Sequence, residues 1–410
     1  MQTVNFLFAW RYFKAKKTTN AINVISWISI IAIIIGTAAL ILVLSVFNGF
    51  EDLVKSLYSS FYPDLKISPV SGKQIILTQA QLNKLRAVKG VRSISLIAEE
   101  KALLQNGEYQ SIIYLKGVDE NYTSVTTVAD HIIKGSFNTG EANNPRLVLG
   151  AGIENAVGVQ SDRNLAPLLV YLPKKAEVDL SNPLQSISAD TINTAGTFVI
   201  QQDFDNKYAI TNLQFVKQML GMPADAYSAA EISIMQNEDE NDIKELMANM
   251  LQSNYRVETR YEQNKSLYSI MQIEKWVIYA VLSLILIVAA FNMVGALTML
   301  VLEKKQDIGV LHALGGSQTF IQKIFLSEGL LLATIGGGFG MLIALILALV
   351  QINFKIIPLT GGSFLIDYFP VKLSMMDFLL VGVTVFFIAL IASWVPARKA
   401  AMQQHALREE

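Results

Sequence analysis

Residues 22–47 read INVISWISIIAIIIGTAALILVLSVF, a run without one charged side chain. Crossing the hydrocarbon of a bilayer takes about 20 such residues, whereas a buried core helix usually supplies only about 10–14. The run is also too long for the apolar core of a signal peptide and has no convincing small-residue cleavage site after it, so it reads as an uncleaved anchor. Three further runs meet the same length test: Trp276 to Leu302, about Ile324 to Val350, and Phe378 to Val395. The chain is 410 residues long and only 16% charged, where soluble domains usually carry about 25%. The expected fold is therefore membrane α-helical, with transmembrane segments at 21–47, 276–302, 324–350 and 378–395. A large α+β extracytoplasmic domain (48–275) is inserted between the first and second helices.

Orientation follows from lysine and arginine in the short flanks, which stay on the cytoplasmic side. Arg11, Lys14, Lys16 and Lys17 precede the first span, and Lys304, Lys305 and Lys323 lie between the second and third. Arg398, Lys399 and Arg408 follow the fourth, while the loop 351–377 offers only Lys355 and Lys372. Both termini (1–20 and 396–410) and the loop 303–323 are thus expected to be cytoplasmic, and 48–275 to lie outside. Phe6, Trp10 and Phe13 share one helical face; an amphipathic helix on the membrane surface and packing onto neighbouring spans both fit that spacing.

The external segment changes pattern after Pro63. Leu65 to Ser68 reads as a strand, Thr78 to Lys89 as a helix, Val91 to Leu104 and Tyr109 to Lys116 as strands joined at Asn106-Gly107, a pair that tolerates positive φ. Glu231 to Met235, Asn241 to Gln252 and Arg256 to Thr259 read as strand, helix and strand. Residues 64–119 and 228–260 would then form one split α/β unit, with 120–227 an inserted β-rich subdomain carrying strands at Arg146 to Leu149, Leu168 to Leu172 and Gly196 to Gln201. The polar stretch from Pro173 to Asn193 is long for a loop, a property of functional or disordered segments. Phe50, Leu53, Val54, Leu57 and Phe61 keep helical spacing beyond the first span, and Leu267, Ile270, Met271 and Glu274 lead into the second. The stalks 48–62 and 261–275 are therefore read as stiff levers, or else as helices packed on the domain.

Several function classes fall away. Positive and negative side chains number 33 and 34, so no basic excess exists to hold nucleic acid. Cysteine is absent. Ser71-Gly72-Lys73-Gln74 is no phosphate loop, since Ile67 stands where its first glycine belongs and Gln74 replaces Ser or Thr. His131, His312 and His405 are spread over three separate pieces of chain, and no cofactor or metal is implied. Ion pathways need ionisable groups inside the spans, and the one clear candidate is Glu328, expected to pair with a lysine or face a partner. Asn292 is placed to hydrogen-bond between helices. Gly336 and Gly340 form a small-xxx-small pair for close helix packing, with a hinge as the alternative. Nearly dry spans, a large outer domain and no catalytic constellation imply motion relayed across the membrane.

Leu302-Glu303-Lys304-Lys305-Gln306-Asp307-Ile308-Gly309-Val310-Leu311-His312-Ala313-Leu314-Gly315-Gly316-Ser317 resembles the cytoplasmic coupling-helix signature of MacB/FtsX-type ABC permeases. Ser45-Val46-Phe47-Asn48-Gly49-Phe50-Glu51, Ala289-Ala290-Phe291-Asn292, and Pro396-Ala397-Arg398-Lys399-Ala400-Ala401 with Ala406-Leu407-Arg408 resemble the LolC/LolE lipoprotein-releasing branch. The departures are His312 for a commoner Lys or Arg, and Gly316 for a commoner Ala. The resemblance implies a non-enzymatic permease subunit of the inner membrane that pairs with a second permease subunit, a paralogue or itself, and with a cytoplasmic ABC ATPase dimer. ATP-driven closure would push the coupling helix, and the long helices would squeeze a triacylated lipoprotein out of the membrane lipids towards a periplasmic lipoprotein carrier.

By the same resemblance, Glu303, Lys304, Lys305, Asp307, Ile308, Gly309, His312, Leu314 and Gly315 are expected to dock on the ATPase, although a plain positive-inside loop has the same composition. Val43, Phe47, Phe50, Leu267 and Met271 sit where an acyl-lined groove is implied, and ordinary helix packing uses the same residue types. Pro173, Lys174, Lys175, Asp179, Asn182 and Pro183 fall where one family member carries a carrier-hooking hairpin. The alternatives are a MacB-like efflux permease and an FtsX-like scaffold regulating a cell-wall hydrolase. The scaffold branch generally has a smaller outer domain.

Overall fold

The computed structural model describes residues 20–163, 166–174, 187–251, 254–359 and 366–402, with side chains from Val24 onward. In chain order the elements begin with α1 (Asn20–Phe61), β1 (Leu65–Pro69), β2 (Ile75–Ile76), α2 (Gln79–Arg86), β3 (Val91–Asn106) and β4 (Tyr109–Val118). They continue with β5 (Ile132–Gly135), β6 (Gly140–Glu141), β7 (Asn144–Gly150), β8 (Leu168–Pro173), β9 (Ile187–Phe198), β10 (Tyr208–Asn212) and α3 (Leu213–Leu220). Next come β11 (Ala226–Tyr227), β12 (Ala229–Ile234), α4 (Glu240–Met250) and β13 (Tyr255–Thr259). The last four helices are α5 (Lys265–Glu303), α6 (Lys305–Ala313), α7 (Gln318–Phe354) and α8 (Met375–Ala401). Four of these helices, α1, α5, α7 and α8, are long and apolar enough to cross a membrane. The chain divides into a membrane unit (the described residues of 20–53, 269–359 and 366–402) and a large domain (54–268).

In the membrane unit the helices approach one another where side chains are missing. A Cβ on Gly36 would lie 2.9 Å from Leu286 of α5, and one on Gly340 would lie 2.7 Å from both the Ile34 carbonyl and the Thr37 Cβ of α1. Gly336 faces Ile33 in the same way, and Gly329 faces Ser393 of α8. Lipid is as apolar as leucine, so close van der Waals contact rather than water exclusion holds such helices together. The small-xxx-small pair at Gly336 and Gly340 is thus a packing seam with α1. Ile33, Leu40, Leu44, Met293, Leu297 and Phe325 fill the rest of this core.

The large domain has two parts joined by one strand. β13, β1, β12 and the first half of β3 form an antiparallel sheet. It is covered by α2 through Leu82 and Leu85, and by α4 through Ile243 and Met247. Thr78 starts α2 with a capping box to Gln81. Beyond Ile97, β3 pairs with β4 on one side and, at Leu103 to Gln105, with β8 on the other. β8 pairs with β9, β9 with β7, β7 with β10 and β10 with β4. This ring of six strands closes on itself and leaves no free edge inside it. Leu168, Val170 and Leu172 alternate inward along β8, as period two requires.

Helix α3 packs across β3, β4, β8, β9 and β10 with Leu213, Val216 and Leu220 buried. Gly117 of β4 makes room for it, since a Cβ there would lie 2.8 Å from Val216. Asn212 caps the start of α3, and Gly221 ends it in the left-handed region at φ 65°.

As its apolar spacing past Phe47 predicts, α1 continues beyond the first span as one helix of 42 residues, about 63 Å at 1.5 Å per residue. Two differences from the sequence expectation have physical reasons. The strand expected at Gly196 to Gln201 starts nine residues earlier, at Ile187, because its partner β8 extends to Pro173. The sheet also runs without interruption across the boundaries drawn at 120 and 227, through the parallel pairing of β10 on β4.

Candidate functional site

The segment after the second membrane helix folds as a short helix of its own. α5 ends at Glu303, Lys304 occupies the N-cap of α6, and its ammonium reaches Asp307 at 3.4 Å. Gly315, at φ 85°, turns the chain, and Ser317 then caps α7 by accepting the Phe320 N–H. Of the residues expected to dock on a partner, Ile308 and Gly309 turn inward and are buried, Ile308 in the core of the membrane unit. Lys305, Leu314 and Gly315 of that set are exposed, Glu303, Lys304 and Asp307 half-buried, and Gln306, Val310 and Ala313 complete the outward surface, with Val310 59% and Leu314 80% exposed. His312 is half-buried. Val310 was not singled out from sequence, although its spacing of four from Leu314 marks one helical face.

The motif 45–51 acquires a structural basis. Asn48 donates to Asp377 at the start of α8 and accepts from Lys275 of α5 at 2.8 Å, while Lys275 lies 3.5 Å from Asp377. A Cβ on Gly49 would fall 2.3 Å from the Pro370 carbonyl, so the chain before α8 lies directly on α1. Lys372 pairs with Asp52 nearby. Asn48, Lys275 and Asp377 tie three membrane helices at one end. Sequence reasoning missed Lys275 and Asp377; the available signal was a charged residue at the edge of each apolar run.

The proposed groove residues divide between the two units. Val43 is exposed, and Phe47, Phe50 and Met271 are half-buried in the membrane unit, with Phe50 edge-on to Phe369 at 5.8 Å. Leu267 belongs to the large domain and lines a groove of about 440 Å³ there. Asn292 is exposed on α5, whose most apolar stretch is only 17% buried against 44% for α1. Glu328 is buried among the membrane helices.

The groove containing Leu267 is built on the last turn of α1. Phe61 stacks on Phe204 at 4.4 Å, Tyr58 on Tyr62 at 5.8 Å, and Tyr114 on Tyr208 at 5.4 Å. Beneath them Lys116 of β4 bonds Glu231 of β12 at 2.8 Å, both buried, and lies 4.7 Å above the Phe61 ring and 4.9 Å above Tyr122. Burial alone would push the Lys116 ammonium down, but the Glu231 carboxylate, together with Tyr122 and Glu99, holds the group above its ordinary value. Burial and then the Asp203 charge push the Tyr58 phenol up to about 12, and burial raises Tyr62 and Tyr208 as well. All three phenols are neutral near neutral pH. The sequence signal for the buried pair was one basic and one acidic residue, each inside an otherwise uncharged strand.

The loop expected to contact a carrier connects β8 to β9, which pair from Leu168 with Ile192 to Pro173 with Ile187. Pro173 and Lys174 are exposed at the end of that hairpin. Lys175, Asp179, Asn182 and Pro183 lie outside the described residues, as do the N-terminal segment to 19 and the tail from 403.

Two family descriptions match the chain in order. MacB-like periplasmic core domain covers residues 26–162, and FtsX-like permease C-terminal covers 279–404. Over 98% of its length the chain is 27% identical to the lipoprotein-releasing system transmembrane protein LolE of Haemophilus influenzae, covering 98% of that protein. It is 25% identical to LolC of Xylella fastidiosa strain Temecula1, covering 98% of this chain and 97% of that one. An uncharacterized ABC transporter permease of Methanocaldococcus jannaschii is 23% identical over 96% of this chain and 94% of its own. The chain has the module order of a MacB/FtsX-type permease and is similar to LolC and LolE along nearly its whole length.

Proposed function

We propose that the chain is the permease subunit of a lipoprotein-releasing ABC transporter. The observation that carries this reading is similarity at 25–27% identity, end to end, to proteins named for that system. The geometry supplies the parts it needs. The outward face of α6, with Lys305, Gln306, Val310 and Leu314, would receive the cytoplasmic ABC ATPase dimer. The exposed face of α5, including Asn292, would pack on a second permease subunit, a paralogue or a second copy. The membrane-unit segments of α1 and α5 carrying Val43, Phe47, Phe50 and Met271 would take the acyl chains of a triacylated lipoprotein, and the β8–β9 hairpin would meet a periplasmic carrier. The termini and α6 face the cytoplasm in this reading, with the large domain in the periplasm.

Motion is the work such a chain would do. The ATPase would hydrolyse ATP, and α6 would pass the movement to α5 and α7, which flank it in sequence. The test is depletion of this chain in cells with acyl-labelled lipoproteins. Label accumulating in the inner membrane before growth slows supports release. Normal sorting in a strain without a paralogue sinks it and favours efflux of another extracytoplasmic substrate.

A further inference from the structure

The groove at the end of α1 carries unpaired polar groups that the acyl-chain reading does not use. It lies wholly within the large domain and is lined by Tyr58, Tyr62, Tyr114 and Tyr208, by the Asp203–Lys207 ion pair (3.0 Å), and by Gln263, Asn264, Ser266 and Leu267. Among the described residues the hydroxyls of Tyr62, Tyr114 and Tyr208 make no hydrogen bond, although all three rings are half-buried. The Gln263 side chain donates to the carbonyls of Pro63 and Glu258, which fixes it in the groove wall. The hydroxyls can donate to a ligand carbonyl as well as accept.

The charges in the groove are already satisfied. Asp203 takes Lys207 and the Tyr58 hydroxyl, so no net charge is presented to a ligand. What remains is a set of flat aromatic faces and three free hydroxyls. That arrangement suits a chain of alternating N–H and C=O groups without charge. Aromatic faces hold small side chains by area, and neutral donors and acceptors read the backbone.

We propose that this groove binds an extended, uncharged stretch of polypeptide, and that in the lipoprotein reading, on which this inference rests, it is the linker that follows the lipidated first residue. Leu267 lines the groove and belongs to the helix that carries Met271 and continues as the second membrane span. A substrate whose acyl chains lie along α5 would present the residues after its lipid anchor near this end of that helix.

The experiment uses the assembled transporter in membranes with a labelled lipoprotein. Benzoylphenylalanine is placed at Tyr208 in one variant and at Val43 in another, and the adducts formed on illumination are mapped by mass spectrometry. The inference expects Tyr208 adducts within the first ten or so residues of the mature lipoprotein. Replacing those residues with an acidic run should reduce the Tyr208 adduct at least fivefold and leave the Val43 adduct unchanged. Adducts from Val43 with none from Tyr208 overturn the peptide groove while leaving lipoprotein release standing. A Tyr208 adduct on lipid or glycan also overturns it. Absence of both adducts, with normal lipoprotein sorting on depletion, removes the release reading and this inference with it. As a second measurement, Tyr62→Phe with Tyr114→Phe keeps the rings and should cut capture by a probe at Leu267 several-fold; unchanged capture counts against backbone reading by the hydroxyls.

Discussion

The membrane unit and the large domain achieve close packing by opposite means, and α1 takes part in both. Along Ile30 to Leu40 it meets α7 and α5 where Gly336, Gly340 and its own Gly36 lack side chains. Along Leu57 to Phe61, where it is part of the large domain, it packs through stacked rings over a buried ion pair. The difference follows from the solvent. In hydrocarbon, burying a large apolar side chain gains little over leaving it in lipid, so the helices gain by approaching until backbone atoms touch. In water, apolar area is worth about 25 cal/mol per Å², and large rings supply it. One unbroken helix thus carries both kinds of packing.

The largest expected break lies at the ring end. Lys116→Met leaves Glu231 as a bare buried carboxylate, and losing one partner of such a pair costs about 3–5 kcal/mol. Thermal unfolding of the purified chain should show the large domain melting well below wild type. Lys116→Met combined with Glu231→Leu removes both charges and should regain most of the loss; a double variant as unstable as the single one would mean that the ammonium's contacts with Phe61 and Tyr122 dominate. Next in size is Gly309→Pro, which removes a hydrogen bond in α6 and costs about 3 kcal/mol or more locally. It is expected to abolish transport while membrane insertion stays normal, and wild-type transport in that variant would refute α6 as the coupling element.

The glycine seam gives a smaller and more discriminating pair. Gly340→Ala places a Cβ 2.7 Å from backbone and side-chain atoms of α1, whereas a Cβ on Gly338, two residues away, meets nothing within 4 Å. Overpacking costs about 1–3 kcal/mol, so Gly340→Ala should lower the melting temperature of the membrane unit and Gly338→Ala should leave it unchanged. Equal effects would mean that the seam is no tighter than the rest of α7.

What the sequence made legible follows the same division. Span length, a one-dimensional property, placed all four membrane-length helices and the position of the inserted domain. It also flagged Gly336 and Gly340 as a close-packing pair. The α/β elements 65–118 and 229–259 showed in local alternation and at the Asn106-Gly107 turn. Closure of the β3–β4–β10–β7–β9–β8 ring did not, because β10 on β4 and β7 on β9 are parallel pairings between distant segments. Strand alternation reports only which face is buried, never which neighbour is beside it. Within the coupling segment, the motif located α6, but motif membership does not distinguish inward Ile308 from outward Val310. That distinction needs the core against which the helix rests.

The smallest effect tests whether burial in the large domain behaves as a water-facing core should. Asp205 ends the helical turn that carries Phe204, and its carboxylate accepts the Ile200 N–H at 2.9 Å. Burial pushes its carboxyl up from 3.8 to about 6, against the opposing pull of the Ile200 and Gln201 backbone N–H groups. A raised acid favours the protonated form in the folded state, so its contribution to stability is fully present below about pH 3.8. That contribution is lost as pH rises through about 6. Asp205→Asn keeps an acceptor oxygen for Ile200 and stays neutral throughout. Wild type and variant should therefore melt together near pH 4 and separate by pH 7, with the asparagine form the more stable. Each 1 kcal/mol of separation would appear as about 2–4 °C for a domain of this size. A separation that is constant from pH 4 to pH 7 would show that the Asp205 carboxyl titrates in the folded protein as it does in the unfolded chain, and that this corner of the aromatic cluster is open to water. In that case the cluster would grip the end of α1 through ring contact alone, and the contrast with the glycine seam would narrow to one of side-chain size.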